Sequence, residues 1–178
     1  MVMDKHDLRK IQKEKRSMLN IQLLSDLIVD NFFDLDEFKS AKNIFTYIPF
    51  GDEISTERIL NLKSKKIYAP KIIGKNIVMA EYSPANLKRD KFGILEPVSD
   101  NIKVPHFDDI IIVPALGCDF SYNRLGYGGG FYDRYLKNTN GVKVVLIPQE
   151  LLLAEVPNDI NDVKVDIIVT ESLAFRKH

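Results

Sequence analysis

The sequence predicts an α/β protein with a mostly parallel central sheet flanked by helices. Three apolar runs, DDIIIVPAL, GVKVVLIP and VDIIVTE, lack the alternation of a half-exposed strand, which is typical of strands covered on both faces. Helical segments lie between the predicted strands, and the chain begins with two further helical patterns. These observations favour a Rossmann-like three-layer arrangement with N-terminal helices, formed as a single domain over residues 1–178.

The two N-terminal helices are predicted from their caps. Asp4 precedes KHDLRKIQKEKRSML, and Asn20 precedes NIQLLSDLIVDNFF. The first helix has few apolar residues, so we expect it to bury one narrow face. That face would contain Leu8, Ile11, Met18 and Leu19.

The remaining elements follow from turn residues and apolar runs. NIFTYIPF is predicted as a strand that stops at Pro49 and Gly51, and KKIYAPKI and NIVMAEYS as two strands joined at Gly74. STERILNLKS is predicted as a short helix, although Arg58 stands where a capping box from Ser55 would have Glu.

Charge and composition exclude several classes of partner. Lysine plus arginine and aspartate plus glutamate each number 25, so the formal net charge is zero, which gives no general argument for nucleic acid or a membrane surface as a partner. No stretch reaches the roughly 18 apolar residues of a membrane span. The charged N-terminus lacks the apolar core of a signal peptide. We therefore expect a soluble, cytoplasmic protein that is a monomer or at most a weak dimer.

The single cysteine, Cys118, cannot form an internal disulfide, which fits a reducing compartment. A small buried apolar side chain near a strand end is the favoured interpretation. A nucleophile is the alternative, but no histidine lies nearby in the sequence.

The stretch NRLGYGGGFYDRYL, residues 123–136, contains four of the nine glycines and ends in a helical pattern. Glycines between a strand and a helix allow the backbone N–H groups to approach an anion, which predicts a phosphate-binding loop at the carboxyl edge of the sheet. Arg124 could bind phosphate oxygens, and Asp133 could hold Mg²⁺. The alternative is a tight connection in which Arg124 and Asp133 form a surface ion pair. The loop is neither a Walker A sequence nor a dinucleotide fingerprint, because Phe131 stands where the latter needs glycine.

The longer stretch VPALGCDFSYNRLGYGGGFYDRYL, residues 113–136, resembles the signature of the 5-formyltetrahydrofolate cyclo-ligase family, roughly V-P-x-x-x-F-D-x-x-G-x-R-L-G-x-G-x-G-[FY]-Y-D-x-x-L. It departs at Cys118, where Phe is usual, at Tyr122, where Gly is usual, and at Gly129, where some members have Lys. KHDLR, DEISTERIL, FGILEP and VPNDINDVKVDIIVTE resemble other family segments in the family's order.

The resemblance implies an activity and its co-substrates. The family converts 5-formyltetrahydrofolate to 5,10-methenyltetrahydrofolate with ATP and Mg²⁺, through phosphorylation of the formyl oxygen and ring closure by N10. The expected partners are therefore 5-formyltetrahydrofolate and ATP, with no nucleic acid and no membrane.

The resemblance also implies the ATP contacts. Lys5 and Arg9 carry over as ATP-binding residues; without the family they would be two solvated cations of one helix face. Arg124 and Tyr132 carry over as catalytic residues, and we expect Arg124→Lys to impair the use of ATP with little change in thermal stability. The remaining ATP contacts are the loop residues Arg124, Leu125, Gly126, Tyr127, Gly128, Gly129, Gly130, Phe131 and Tyr132.

Metal and folate contacts complete the implied site. Asp133 and Asp162 carry over as Mg²⁺ ligands, and Asp162 would otherwise be a turn residue. Glu53 carries over as a folate contact, since a carboxylate accepts paired N–H donors; its alternative is an exposed acid before a helix. Ile48 would line the apolar side of the folate pocket or simply belong to the core. The loop from Tyr127 through Gly128, Gly129 and Gly130 to Phe131 would also lie against the folate.

Two competing functions remain open at this stage. One is an enzyme with the same ATP loop that acts on another folate-like or amide substrate. The other is a non-catalytic module that binds a nucleotide or a folate.

Overall fold

The computed structural model describes residues 3–177, so Met1, Val2 and His178 of the predicted domain lie outside the described residues. The helices are α1 (Lys5–Ser17), α2 (Ile21–Phe33), α3 (Asp36–Ser40), α4 (Glu57–Leu60) and α5 (Phe131–Leu136), and Gln149–Leu151 forms a 3₁₀ turn. The strands are β1 (Asn43–Phe45), β2 (Lys66–Ile73), β3 (Asn76–Glu81), β4 (Leu87–Arg89), β5 (Leu95–Pro97), β6 (Ile110–Ile112), β7 (Gly117–Asp119), β8 (Arg124–Leu125), β9 (Val142–Leu146), β10 (Leu152–Leu153), β11 (Ile167–Val169) and β12 (Ala174–Arg176).

The centre of the molecule is a seven-stranded sheet in the order β12-β11-β9-β6-β1-β2-β3. The five inner strands are parallel, and the edge strands β12 and β3 are antiparallel to their neighbours. The three apolar runs form β6, β9 and β11, which lie side by side. The prediction of a mostly parallel central sheet is thus confirmed.

Both faces of the sheet are covered, which explains why the inner strands are apolar throughout. Ile44 points into a core cluster that includes the α2 residues Ile28 and Phe32. Its neighbour Phe45 points into a second cluster on the opposite face, which includes Leu136 of α5. This alternation of two buried faces confirms the three-layer arrangement.

Helix α1 begins as predicted and buries Leu8 as expected, but its other buried residues are polar. The Asp4 side chain accepts a hydrogen bond from the Asp7 N–H, so the cap is formed. The buried residues are Leu8, Gln12 and Arg16, whereas Met18 is 84% exposed. The pattern of apolar residues does not indicate this face, because Gln12 and Arg16 are polar. Both side chains are buried and donate hydrogen bonds to backbone carbonyls of other segments.

A small second sheet, β10-β7-β8, was not predicted. The run DDIIIVPAL stops being a strand at Ile112, and the chain forms the β7–β8 hairpin before it reaches the glycines. Arg124 and Leu125 therefore belong to a strand rather than to the loop, which corrects the predicted start of the glycine loop. The loop proper covers residues 126–130 and leads into α5 as expected.

The β7–β8 turn is organised by Asp119, a buried carboxylate. Its oxygens accept hydrogen bonds from the N–H groups of Ser121, Asn123 and Val156, and from the Asn123 amide. Tyr122 in this turn has φ +64°. That left-handed conformation explains why the family signature usually has glycine at this position.

Candidate active site

The cleft of the molecule lies where the strand order changes direction. From β1 the chain continues to β2 and β3 on one side of the sheet, whereas β6, β9, β11 and β12 lie on the other. Tyr47 and Ile48, which follow β1, and Pro114, which follows β6, line the cleft at this point. The carboxyl ends of parallel strands at such a switch point are the usual ligand site of open α/β sheets.

The cleft has a volume of about 720 Å³, within the range that holds a small-molecule ligand. Two chemically different sets of residues line it. A cationic set on α1 consists of Lys5, Arg9 and Lys13. An apolar set from β2, β3 and the β4–β5 hairpin consists of Pro70, Ile72, Ile77, Phe92, Ile94 and Leu95.

The glycine loop presents its N–H groups and turns its carbonyl groups away. Arg9 Nε donates to the Gly126 carbonyl at 2.8 Å, and Arg134 Nη1 donates to the Gly129 carbonyl at 3.3 Å. The N–H groups of residues 127–130 donate no backbone hydrogen bond within the described chain. Gly128 and Gly130 have φ of +102° and +66°, so the loop needs glycine at both positions. This is a suitable arrangement for an anion.

Arg124 and Asp133 form an ion pair, but it is buried rather than superficial. Arg124 Nη2 lies 2.9 Å from Asp133 Oδ1, and the Arg124 side chain is only 4% exposed. Arg124 Nη1 also donates to the Pro114 carbonyl at 3.0 Å. Arg124 thus fastens α5 to the end of β6, and the alternative of a surface ion pair is wrong. The Arg124 Nε atom has no partner among the described residues.

The donor set at Asp133 and Asp162 suits Mg²⁺ only in part. Asp133 Oδ1 accepts from Arg124 and from the Val163 N–H at 3.3 Å, which brings Asp133 next to the Asp162 segment. Asp162 Oδ2 accepts from Lys5 Nζ and from the Asp159 N–H. The second oxygen of each carboxylate has no hydrogen-bond donor in residues 3–177. No group of three or more potential ligands forms there either. Two carboxylates suit a Mg²⁺ ion that completes its shell with phosphate oxygens and water.

Glu53 is a half-buried acid in the cleft. Burial raises the pKa of its carboxyl above the usual range, while the Phe50 N–H, which donates at 2.9 Å, and the Arg16 charge lower it. The nearby Tyr127 hydroxyl also lowers the pKa of this carboxyl. The exposed acid of the alternative interpretation is therefore not observed.

Tyr132 lines the cleft with a hydroxyl that has no hydrogen-bond partner among the described residues. Burial raises its pKa well above the ordinary value, so the group remains a neutral hydrogen-bond donor. Ile48 also lines the cleft and belongs at the same time to a core cluster, so both interpretations of this residue stay open. Leu125 is different: its side chain lies in a separate core cluster with Leu8. It does not line the cleft, so its side chain lies away from the ATP site that the family resemblance implies.

The structure also decides between the two interpretations of Cys118. The side chain is fully buried in β7. Burial raises the pKa of its thiol to about 12. The thiol is therefore inert, as expected for a small buried side chain.

Several lining residues were not predicted. Lys13 continues the spacing of Lys5 and Arg9 by one further turn of α1, so the four-residue period could have indicated it. Phe92 and Ile94 belong to the FGILEP segment that resembles the family, but no pattern placed that segment at the cleft. Tyr47 also lines the cleft, whereas Arg16 does not line it but contacts the lining residues Asp52 and Tyr127; no sequence pattern indicates either position.

The fold and the cleft define an α/β protein in which a glycine-rich loop and cationic side chains border one cleft, an arrangement suited to a small anionic ligand. The family model described as the 5-formyltetrahydrofolate cyclo-ligase family matches residues 3–171, and the chain belongs to this family.

Individual relatives agree with this assignment. The 5,10-methenyltetrahydrofolate synthetase of Aquifex aeolicus has a solved structure with a TM-score of 0.87 and 36% identity, covering 98% of this chain and 93% of that one. The 5-formyltetrahydrofolate cyclo-ligase of Haemophilus influenzae is 32% identical over 141 residues, 74% of this chain and 75% of its own. A 5,10-methenyltetrahydrofolate synthetase from Mycoplasma pneumoniae shares the fold at 24% identity, with a TM-score of 0.76 and coverage of 95% and 99%.

Proposed function

We propose that this protein is an enzyme that converts 5-formyltetrahydrofolate to 5,10-methenyltetrahydrofolate with ATP and Mg²⁺, releasing ADP and phosphate. Family membership supports the reaction. The observation that carries the proposal is one cleft that combines an N–H-rich glycine loop and cationic residues with an acid and an apolar wall. Such a cleft can hold a triphosphate and a folate against each other. The described part of the chain contains no helix long and apolar enough to cross a membrane, and we propose a cytoplasmic location.

The chemistry needs the formyl oxygen turned into a leaving group. The oxygen attacks the γ-phosphorus of ATP, the bond to ADP breaks, and an iminium phosphate forms. The N10 lone pair then attacks the formyl carbon, phosphate leaves, and N10 loses its proton to solvent as the ring closes. The protein contributes mainly orientation and charge neutralisation.

The nucleotide side of the cleft is assigned to α1 and the glycine loop. Lys5 and Arg9 would neutralise phosphate charge, and the loop N–H groups would donate to phosphate oxygens. Asp133 and Asp162 would hold Mg²⁺, which when bound supplies positive charge to the phosphates. Because Lys5 already pairs with Asp162, phosphate binding would divide its donors between the two anions.

The folate side is assigned to Glu53, Ile48 and the apolar set. Glu53 would accept N–H donors of the pterin ring, and Ile48 would pack against the ring. The unpartnered Tyr132 hydroxyl would donate to the reacting oxygen or to the transferred phosphate, a contact that strengthens as negative charge develops.

The test is an absorbance assay for methenyltetrahydrofolate after 5-formyltetrahydrofolate, ATP and Mg²⁺ are mixed with the protein. We expect product growth that requires ATP and is abolished when a β,γ-imido analogue replaces it. Binding of both ligands without product would favour the non-catalytic module. ATP hydrolysis that ignores 5-formyltetrahydrofolate but responds to another amide would favour the other enzyme.

A further inference from the structure

Arg16 is a buried arginine on α1 whose role no sequence pattern indicated. The residue is 1% exposed and lies one helical turn beyond Gln12 on the buried face. Arg16 Nη2 donates to the Ala115 carbonyl at 2.6 Å, just beyond the end of β6. One side of the guanidinium is therefore attached to the central sheet.

The other side of the guanidinium faces two walls of the cleft. Arg16 Nη1 lies 3.5 Å from the Asp52 carbonyl oxygen and 3.4 Å from the Tyr127 hydroxyl oxygen. Asp52 belongs to the turn that follows β1, and Tyr127 belongs to the glycine loop. Arg16 thus connects the end of β6 with both segments that border the cleft.

Arg16 has no ion-pair partner of its own. Among residues 3–177, no carboxylate forms a salt bridge with it, and its Nε has no hydrogen-bond partner. A buried charge without a partner is costly. The cost of burying the Arg16 charge must therefore be offset by a negative charge farther away, or the buried charge is retained because it serves the function of the protein.

Glu53 directly follows Asp52, whose carbonyl Arg16 contacts. Burial, the larger effect, raises the pKa of the Glu53 carboxyl, whereas the positive charge of Arg16 lowers it. The ionisable groups around this carboxyl are Arg16 from α1, Asp52 beside it, Tyr127 from the glycine loop, Tyr47 after β1 and Tyr132 from α5. Arg16 is the cation that lowers the Glu53 pKa, and Arg124 acts on Tyr132. Tyr47 is buried, Tyr132 is half-buried and Tyr127 is 40% exposed. Desolvation raises the pKa of each of these hydroxyls, so they stay neutral.

We propose that Arg16 is a positioning residue for the folate side of the cleft. It ties the Asp52–Glu53 turn and Tyr127 to the end of β6, and its buried positive charge favours the ionised form of the Glu53 carboxyl, which accepts the N–H donors of a pterin-type ring. The identity of the ring rests on the proposed function, whereas the charge coupling between Arg16 and Glu53 is a property of the protein without ligand.

The coupling is tested first without ligand, by carbon NMR titration of the Glu53 carboxyl. In Arg16→Gln the midpoint of the Glu53 titration moves to higher pH, because a stabilising positive charge has been removed. Gln12→Met is the matched control: it changes a neutral buried side chain of the same helix face and leaves the midpoint unchanged. Equal midpoints in wild type and Arg16→Gln would overturn the proposal.

Steady-state kinetics test whether the positive charge of Arg16 affects binding of 5-formyltetrahydrofolate. Since the ring binds the ionised carboxylate, KM for 5-formyltetrahydrofolate rises as the pH falls through the Glu53 pKa, and in Arg16→Gln this rise begins at higher pH. At the acidic end we expect KM for the folate to exceed the wild-type value by about tenfold, with KM for ATP nearly unchanged. An equal increase in both KM values would mean a merely structural role and would contradict the proposal.

Arg16→Lys separates charge from geometry and serves also if Arg16→Gln does not fold. The lysine keeps the charge but cannot span the three acceptors. The Glu53 midpoint therefore stays near the wild-type value, while KM for the folate rises at every pH. A midpoint that moves as far in Arg16→Lys as in an uncharged variant would refute the role of the charge.

Different results would refute the proposed reaction and the coupling between Arg16 and Glu53. A wild-type protein without turnover, but with the Glu53 midpoint displaced in Arg16→Gln, would refute the proposed reaction and retain the coupling. Normal wild-type turnover with an unmoved midpoint would refute the role of Arg16 and retain the reaction.

Discussion

Tyr122 adopts a strained backbone conformation at a position where the family signature usually has glycine. Its φ of +64° places a tyrosine in the left-handed region. Its side chain packs against the core cluster beneath α5. This packing offsets the unfavourable backbone conformation.

Two truncations of Tyr122 separate the energetic cost of its backbone conformation from the stability that its side-chain packing contributes. Tyr122→Ala and Tyr122→Gly both remove the ring, but only glycine relieves the backbone. We expect the glycine variant to be more stable than the alanine variant by about 1 kcal/mol. The measurement is urea unfolding. Ser121 is the control, because it lacks a positive φ; at this position the alanine variant should be more stable than the glycine variant. A more stable alanine variant at position 122 would argue against strain.

Arg124 combines structure with the implied nucleotide role. Because the buried guanidinium bridges Asp133 and the Pro114 carbonyl, lysine can satisfy one of these acceptors but not both. We expect Arg124→Lys to lower the free energy of unfolding by about 2 kcal/mol, more than a surface ion pair contributes. This replaces the expectation of nearly unchanged stability.

Kinetics against each substrate separate the two roles of Arg124. KM for ATP should rise and kcat should fall in Arg124→Lys. Arg58→Lys is the control, because its ion pair with Asp30 is about half exposed and lies outside the cleft. Equal stability losses in the two variants would show that burial of the Arg124 pair has no energetic consequence.

Asp133 and Asp162 are predicted to share a metal. Asp133→Asn and Asp162→Asn should each reduce turnover strongly, with partial recovery at high Mg²⁺, and the double variant should lose less than the product of the two effects. Asparagine is preferable to alanine at position 133, since it keeps an oxygen that can accept the hydrogen bond from Arg124 Nη2. Asp90→Asn, another acid of the cleft, should leave the Mg²⁺ dependence unchanged. Small, multiplicative losses would contradict the shared site.

At the scale of elements, the glycine loop is held from both ends by arginines. Arg9 on α1 binds the Gly126 carbonyl, and Arg134 on α5 binds the carbonyls of Gly129 and Lys75, the latter in the β2–β3 turn. The loop conformation therefore depends on helices distant in sequence as well as on its glycines.

The backbone of this loop is tested at Gly128. A Cβ added there would come no closer than 3.5 Å to Arg9, so the cost of Gly128→Ala comes from its φ of +102°. We expect a stability loss of about 1–2 kcal/mol together with a raised KM for ATP. Gly74→Ala, with φ +63° in open space outside the cleft, should lose stability without a change in KM. If KM for ATP does not respond at Gly128, the loop is only a connection.

At the scale of the whole molecule, ligand binding should stabilise the fold. Residues of α1, the glycine loop, the β4–β5 hairpin and the 159–162 segment all line one cleft, so a ligand in it connects distant parts of the chain. At a concentration of about 100 Kd, Mg²⁺-ATP should add about 2.7 kcal/mol. For a chain of this length, that corresponds to a Tm increase of roughly 5–10 °C.

Differential scanning calorimetry measures this stabilisation. The increase with Mg²⁺-ATP should be smaller in Asp162→Asn than in wild type, whereas the increase with 5-formyltetrahydrofolate should be the same. Loss of both increases in Asp162→Asn would indicate damage to the fold rather than to a metal site.

Much of the architecture was predictable because the physical signals are local. The caps at Asp4 and Asn20 and the turn at Gly74 need only neighbouring residues, and the apolar runs record burial on both faces. The hairpin of β7 and β8 was missed because Gly117–Asp119 is short and carries no alternation. Its stability comes from pairing with β10 and from Asp119, whose acceptor role involves Val156 far along the chain.

The sequence by itself determined the fold class, the position of the glycine loop and, through the family signature, the residues to expect around it. Tertiary structure decided which side chains line the cleft. Arg124 is buried in an ion pair with Asp133, and the Leu125 side chain belongs to a core cluster. Arg16 is buried and contacts Tyr127 of the glycine loop. The physical reason is that burial and charge pairing depend on contacts between residues distant in sequence, such as Arg16 with Ala115, and no local pattern records such contacts.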